Sequence, residues 1–192
     1  VRLFRAIARF LYYLFAGATI MNTASAGKYR PVSAAVIAAL QQIVGEAQVL
    51  YQDQDQLVEF SHDEIPGTHY RTMPEAVVFP ATAGEVAAVV TLANQERIPL
   101  TPRGAGSGLS GGAVPVYGGI VVSTRRLNRI LEIDPGNMMI TVEPGVIAND
   151  VNERLQPYGL FYAGYPMSME TCYIGGNVAE NAGGGKAVKY GV

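Results

Sequence analysis

Residues 102–113 read PRGAGSGLSGGA and lie in the most glycine-rich segment before residue 174. It contains the pattern G-x-G-x-x-G from Gly106 to Gly111, which in a Rossmann domain opens directly into a helix. Here Pro115 and the pair Gly118-Gly119 follow instead, and they disfavour an immediate helix. Successive backbone N–H groups in glycine-rich turns bind phosphate without a helix, and serine hydroxyls add donors. The stretch therefore predicts a phosphate-binding loop rather than a flexible surface loop.

A second glycine-rich element lies downstream and reads IGGNVAENAGGG, residues 174–185. Its amides Asn177 and Asn181 are four positions apart, so a helical turn would point them the same way. A Walker phosphate loop does not fit, because Glu180 stands at the position of a required glycine. Ala187 also replaces the required Ser or Thr.

The apolar patterns between these elements mix helices and strands. Helical spacing from Val36 to Val44 ends at Gly45, and Thr82 with Glu85 forms a capping box before a second helix. Short apolar runs predict strands at 76–79, 98–101, 120–122, 130–133 and 138–142, and a third helix is predicted at 147–155. Residues 51–73 are polar and read as a connecting segment. This order predicts an α+β fold.

Composition excludes several classes of protein. The chain has 192 residues and a net charge of −2, with no clustered basic face, so nucleic acid is not an expected partner. Its single cysteine, Cys172, cannot form an internal disulfide and is predicted to be a buried thiol. Residues 62–69 hold two histidines and two acidic residues without metal-ligand spacing. We predict a polar loop and no metal site.

The first residues allow two interpretations. Arginines, an apolar run and the small residues Ala24-Ser25-Ala26 match an export signal over residues 1–26. Alternatively, Met21 is the true start and the preceding residues are upstream sequence. We therefore divide the chain into a leader or upstream segment at 1–27, an N-terminal helix with its connecting segment at 28–72, and a cofactor domain at 73–192.

The two glycine-rich elements together resemble a known family. Residues 102–113 closely resemble the pyrophosphate loop of the FAD-binding PCMH-type domain of the vanillyl-alcohol oxidase superfamily. Residues 174–184, followed by Lys189-Tyr190-Gly191, look like the second FAD motif of its glycolate oxidase and D-lactate dehydrogenase branch. The resemblance implies two α+β subdomains with FAD between them, the second incomplete in this chain. The residues implied to bind FAD are Arg103, Gly104, Ala105, Gly106, Ser107, Gly108, Leu109, Ser110, Gly111, Pro166, Ser168, Gly175, Gly176, Asn177 and Gly183.

Some roles remain open within this resemblance. The residues alone leave three roles open for Arg103: it holds the loop, it binds an anion, or it is a solvated surface arginine. Some family members link FAD covalently through a His in the loop, but Ser107 stands there, so noncovalent FAD is expected. The family's substrate-binding residues lie beyond Val192, so no catalytic residue is assigned. We expect this polypeptide alone to bind FAD poorly and not to turn over, and purification with one FAD per chain and 2-hydroxyacid activity would contradict that.

The implied activity is oxidation of a 2-hydroxy acid, of the glycolate or D-lactate type, by hydride transfer to FAD. Two alternatives come from other classes: a noncatalytic flavin-binding subunit of a multi-subunit oxidase, and a nicotinamide-dependent dehydrogenase. The expected partners are the small substrate and an electron-acceptor or iron–sulfur subunit. The expected location is cytoplasmic, with membrane association and an export signal left open.

Overall fold

A four-stranded mixed sheet organises the first part of the chain. The computed structural model describes residues 28–66 and 71–191. The strands are β1 (Val49–Leu50), β2 (Ala76–Val78), β3 (Leu100–Arg103) and β4 (Ile120–Ser123), in the order β1-β2-β4-β3. β1 is antiparallel to β2, whereas β2, β4 and β3 are parallel. β2 and β4 are buried on both faces, as their continuous apolar sequence requires.

Helices cover this sheet. They are α1 (Ala34–Val44), α2 (Gln54–Leu57) and α3 (Ala83–Glu96), with 3₁₀ turns at Glu46–Gln48 and Val58–Phe60. The predicted Thr82 cap is confirmed, since its hydroxyl accepts the Glu85 N–H at 3.1 Å. The Glu85 carboxylate reaches back to the N–H of Ala81 at 2.8 Å. These caps satisfy donors that a helix start leaves free, and thereby fix where α3 begins.

Two apolar clusters lie on opposite faces of the sheet. α1 and α3 pack on one face through residues such as Leu40 and Val89, both fully buried. Leu57 and Phe60 pack on the other face, against Val77 and Val121. Residues from before position 73 therefore share cores with residues after it. The predicted domain boundary at 72/73 stays a prediction.

A second unit follows the sheet. It contains the antiparallel hairpin of β5 (Ile130–Asp134) and β6 (Met139–Val142), then α4 (Ala148–Leu155), a 3₁₀ turn (Gln156–Tyr158), α5 (Ile174–Ala179) and α6 (Ala187–Tyr190). Its core joins Val151 and Leu155 of α4 to Met169, Cys172 and Ile174. Cys172 is buried and free, which confirms the predicted thiol.

The α+β class and most of the predicted elements are confirmed. The parallel pairing of β2, β4 and β3 was not predicted. The predicted leader and His69 lie outside the described residues. Within 28–66 and 71–191, no helix is long and apolar enough to cross a membrane.

Candidate functional site

The predicted phosphate loop leaves the sheet at the carboxyl ends of parallel strands. Arg103, the last residue of β3, pairs with Ser123 at the end of β4. Ligands of open parallel sheets bind at this edge, because the loops there are free to form a crevice. From Gly104 to Gly119 the chain forms turns and then enters β4. The loop therefore leads into a strand, and the nicotinamide-type geometry, which needs a helix, does not form.

Two glycines shape the loop. Gly106 and Gly111 both have φ of +79°, a conformation that other residues adopt only with strain. A methyl group at Gly106 would also overlap the guanidinium of Arg103, whose Nε would lie 2.9 Å away. Gly106 is therefore required for backbone shape and for its close approach to Arg103.

Arg103 lies beneath the loop and holds it. Its side chain is buried, and Nη1 donates to the carbonyl oxygens of His62 at 2.7 Å and Ala113 at 3.4 Å, while Nη2 donates to that of Glu59 at 3.0 Å. Its guanidinium also lies 5.5 Å from the centroid of the Phe60 ring. Burial lowers the pKa of Arg103, and the nearby carboxylate of Asp63 opposes that effect. Of the three interpretations, the structure favours the arginine that holds the loop.

Asp63 holds the same loop from the neighbouring segment. It is only 5% exposed, and its Oδ2 accepts the N–H of Gly111 at 2.8 Å. Its Oδ1 accepts the N–H of Ile65 at 3.0 Å. The N–H of Glu64 donates to the carbonyl of Gly108 at 3.0 Å. Segment 59–65 and Arg103 thus form what we call the loop latch. Sequence reasoning treated Asp63 as part of a polar loop and missed this role.

The fold brings the two glycine-rich elements side by side. A methyl group at Gly104 would lie 3.7 Å from Cβ of Tyr173 and 3.9 Å from the backbone nitrogen of Gly176. Further along, the Ser110 hydroxyl donates to the Glu180 carboxylate across 70 positions of sequence. The two predicted motifs are therefore two walls of one site.

Asn177 is the buried polar residue of the second wall. It is 6% exposed, and its Nδ2 has no hydrogen-bond partner within the described residues. Burial raises the pKa of Tyr162, and a contact with the Asn177 amide, which lacks the geometry of a hydrogen bond, opposes that effect. A buried donor without a partner is costly, so a ligand acceptor is a natural partner for it.

Asn177 and Asn181 do not share a helical turn, so the condition under which they would point the same way is not met. α5 ends at Ala179, and Asn181 has φ of +52° outside the helix. The exposed Asn181 therefore does not share a helical face with Asn177.

The remaining predicted residues differ in their surroundings. Gly175 packs against Pro144, whose carbonyl accepts its N–H at 2.8 Å, so this glycine serves packing. Pro166 is buried and Ser168 is half-buried, while Gly183 is exposed. Leu109 is 71% exposed at the tip of the loop. A cavity of about 210 Å³ lies beside Ala105, between Arg103 and Tyr173.

The residues of this site fit a diphosphate cofactor. Methyl groups at Gly108 and Gly176 would have no described atom within 4 Å, so the backbone there faces open space. Gly108 lies in the loop that provides donors, and Gly176 adjoins the unpaired amide of Asn177. Close backbone approach and exposed backbone donors are the features with which glycine-rich loops bind a diphosphate, and the buried Asn177 amide adds a further donor. Within the described residues, no cluster of His, Cys, Asp or Glu forms a metal site.

The fold and the site together define a domain that holds a diphosphate-containing cofactor. The family model described as an FAD binding domain matches residues 74–192, which is more than half of the chain. The chain belongs to this FAD-binding domain family, and FAD is its cofactor. The resemblance found in the two motifs is thereby confirmed.

Curated relatives are similar to this chain in sequence, and a solved structure shares its fold. The chain is 43% identical over 133 residues to glycolate oxidase subunit GlcD of Bacillus subtilis, covering 69% of this chain and 28% of that protein. It has the same identity over the same length with D-lactate dehydrogenase of Anaerostipes hadrus, again covering 69% and 28%. An alkyldihydroxyacetonephosphate synthase structure shares the fold, with a TM-score of 0.72, 22% identity, and coverage of 83% of this chain and 31% of that one. The chain thus spans less than a third of the length of these proteins.

Proposed function

We propose that this chain supplies the FAD-holding walls of an enzyme that oxidises a small 2-hydroxy acid. The observation that carries the FAD part is the meeting of two glycine-rich walls, each with open backbone, at the carboxyl edge of parallel strands. The substrate class is supported by the relatives, whose names specify glycolate and D-lactate. In this reaction the substrate loses a hydride from carbon and a proton from its hydroxyl, and becomes a 2-oxo acid.

The chain's own residues hold and orient the cofactor. When bound, the flavin ring supplies the hydride acceptor. The loop from Gly104 to Gly111 provides donors for the diphosphate, while Arg103 fixes the loop from below. Asn177 provides a buried donor for a polar atom of the cofactor.

Because Ser107 cannot form the histidyl link, we propose noncovalent attachment of FAD. Acid denaturation should therefore release all the flavin into the supernatant.

Replacement of Gly108 by alanine tests the position of the cofactor. The methyl group meets no described atom, so folding stability should be unchanged, whereas a cofactor in that space would be displaced. We expect about a tenfold or greater loss of FAD affinity, since overpacking of a filled site costs about 1–3 kcal/mol. The measurement is quenching of flavin fluorescence on titration into the flavin-free protein, made in the whole reading frame that carries this chain.

The matched control for this test is Gly136→Ala. Gly136 lies in the turn between β5 and β6, and a methyl group there would come no closer than 3.5 Å to Asp134. It should change neither stability nor FAD affinity. Equal FAD affinity in Gly108→Ala and in the unaltered protein would show that the cofactor does not approach this loop.

The substrate class requires its own experiment. The whole reading frame, loaded with FAD, should bleach in the flavin absorbance band when glycolate or D-lactate is added without an electron acceptor. A protein that holds FAD but is not bleached by any 2-hydroxy acid would favour the noncatalytic flavin-binding subunit.

An electron-acceptor or iron–sulfur partner is part of the proposal, supported by the word subunit in the name of one relative. A cytoplasmic location remains a proposal.

A further inference from the structure

The second wall places a carboxylate on the phosphate loop. Oε2 of Glu180 accepts a hydrogen bond from the Ser110 hydroxyl, one of the donors predicted for the cofactor. Its Oε1 lies against Gly112, where a methyl group would overlap it. An anion therefore lies on a loop that must accept the diphosphate of FAD.

The backbone directs this side chain toward the loop. Glu180 follows the last residue of α5, and its N–H still donates to the carbonyl of Gly176 at 2.9 Å. The next residue, Asn181, has φ of +52°, so the chain turns sharply away just after Glu180. The N–H of Ala182 closes this turn on the carbonyl of Asn177 at 2.8 Å. The position of Glu180 is thus set by the end of the helix.

Glu180 forms no salt bridge with any residue that the structure describes. The cation nearest in sequence to the loop is Arg103, which lies beneath it. Its Nη1 and Nη2 atoms donate to the carbonyl oxygens of Glu59, His62 and Ala113. The loop therefore offers backbone and hydroxyl dipoles to an anion while Glu180 repels that anion.

Glu180 differs in one respect from Asp63, the other carboxylate that accepts from the loop. Asp63 is buried and accepts two backbone N–H groups, so it is a fixed part of the latch. Glu180 is exposed and accepts from one hydroxyl, so a ligand can displace it from Ser110 without disrupting the fold. Only Glu180 can therefore be displaced by a ligand.

We propose that Glu180 competes with the diphosphate of FAD for the Ser110 hydroxyl and so sets the affinity of the site for its cofactor. This inference rests on the proposed function, because it requires that the loop binds the diphosphate. It assigns Glu180 a negative effect on binding, although it lies inside a motif whose other members favour binding. The affinity of the site is thereby held below the maximum that its donors allow.

The test is the replacement Glu180→Gln in the whole reading frame. Glutamine keeps the shape and the acceptor for Ser110 but removes the charge. We expect FAD to bind roughly three- to tenfold more tightly at an ionic strength of about 0.02 M, since charges about 6 Å apart at a surface interact with this order of energy. The gain should shrink strongly at about 0.5 M salt, because exposed charges are screened. A purely structural role would not show this salt dependence.

Two controls separate the possible outcomes. Glu132→Gln removes an exposed carboxylate from β5 and should leave FAD affinity unchanged. Riboflavin, which has no diphosphate, should bind equally well to the unaltered protein, to Glu180→Gln and to Glu132→Gln. FAD affinity in Glu180→Gln that is equal to or weaker than in the unaltered protein overturns the inference and leaves the proposed function intact. Failure of every variant to bind FAD overturns both.

Discussion

Replacement of Arg103 by methionine should both destabilise the protein and abolish tight FAD binding. Methionine has a similar length but donates no hydrogen bond, so the carbonyls of Glu59 and His62 would lose their buried partner. The buried carboxylate of Asp63 would also lose its nearby cation. Removing one member of such an arrangement costs about 3 kcal/mol or more, which is a large part of the stability of a typical domain.

Urea unfolding and FAD titration would measure these two losses. Arg154→Met is the matched control, because Arg154 is an exposed residue of α4 and should change neither quantity. Arg103→Lys keeps the charge near Asp63 but cannot fork to two carbonyls, so an intermediate loss is expected. If Arg103→Met unfolded at the same urea concentration as the unaltered protein, the latch would contribute nothing to stability.

A second large effect is expected for Gly184→Ala in the second wall. A methyl group there would overlap the carbonyl oxygen of Tyr165 and lie 2.8 Å from its carbonyl carbon and 2.9 Å from Cα of Pro166. These are backbone atoms, and Tyr165 already has φ of +39°, so the segment has little freedom to move. We expect a loss of about 1–3 kcal/mol in the free energy of unfolding.

FAD affinity should fall at least about tenfold in the same variant, because segment 165–168 carries Pro166 and Ser168, which are predicted to line the flavin. The neighbouring Gly185 provides the control, since a methyl group there has no described atom within 4 Å and its φ is not positive. Gly185→Ala should therefore fold normally. Equal unfolding curves for the two variants would contradict the packing argument.

Local patterns in the sequence predicted the parts of the fold that local physics determines. Helical spacing and the Thr82 cap identified α1 and α3, and short apolar runs identified β2 to β6, whereas the two-residue strand β1 was not predicted. The glycines of residues 104–111 predicted a loop with unusual backbone, and Gly106 and Gly111 confirm it. These features depend on neighbours a few positions apart, so a single sequence contains them.

The contacts that hold the site are long-range and were not predicted. Arg103 finds its acceptors 41 and 44 positions away, and Asp63 meets Gly111 at a separation of 48. Two of these acceptors are backbone carbonyls, which every residue has, so no residue type indicates them. Asn177 and Asn181 do not share a helical turn, because α5 ends at Ala179, two residues before Asn181.

The latch has a consequence for how this protein tolerates sequence change. Arg103 donates to the backbone carbonyls of Glu59 and His62 and not to their side chains. Substitutions at these two positions therefore leave the acceptors in place. An insertion or deletion between them would shift one carbonyl relative to the other, and Arg103 could no longer donate to both. Homologues should therefore vary freely in residue type at these positions while keeping their spacing fixed. Among homologues, a constant number of residues between these two positions, with variable residue types, would be evidence that Arg103 binds the main chain of this segment.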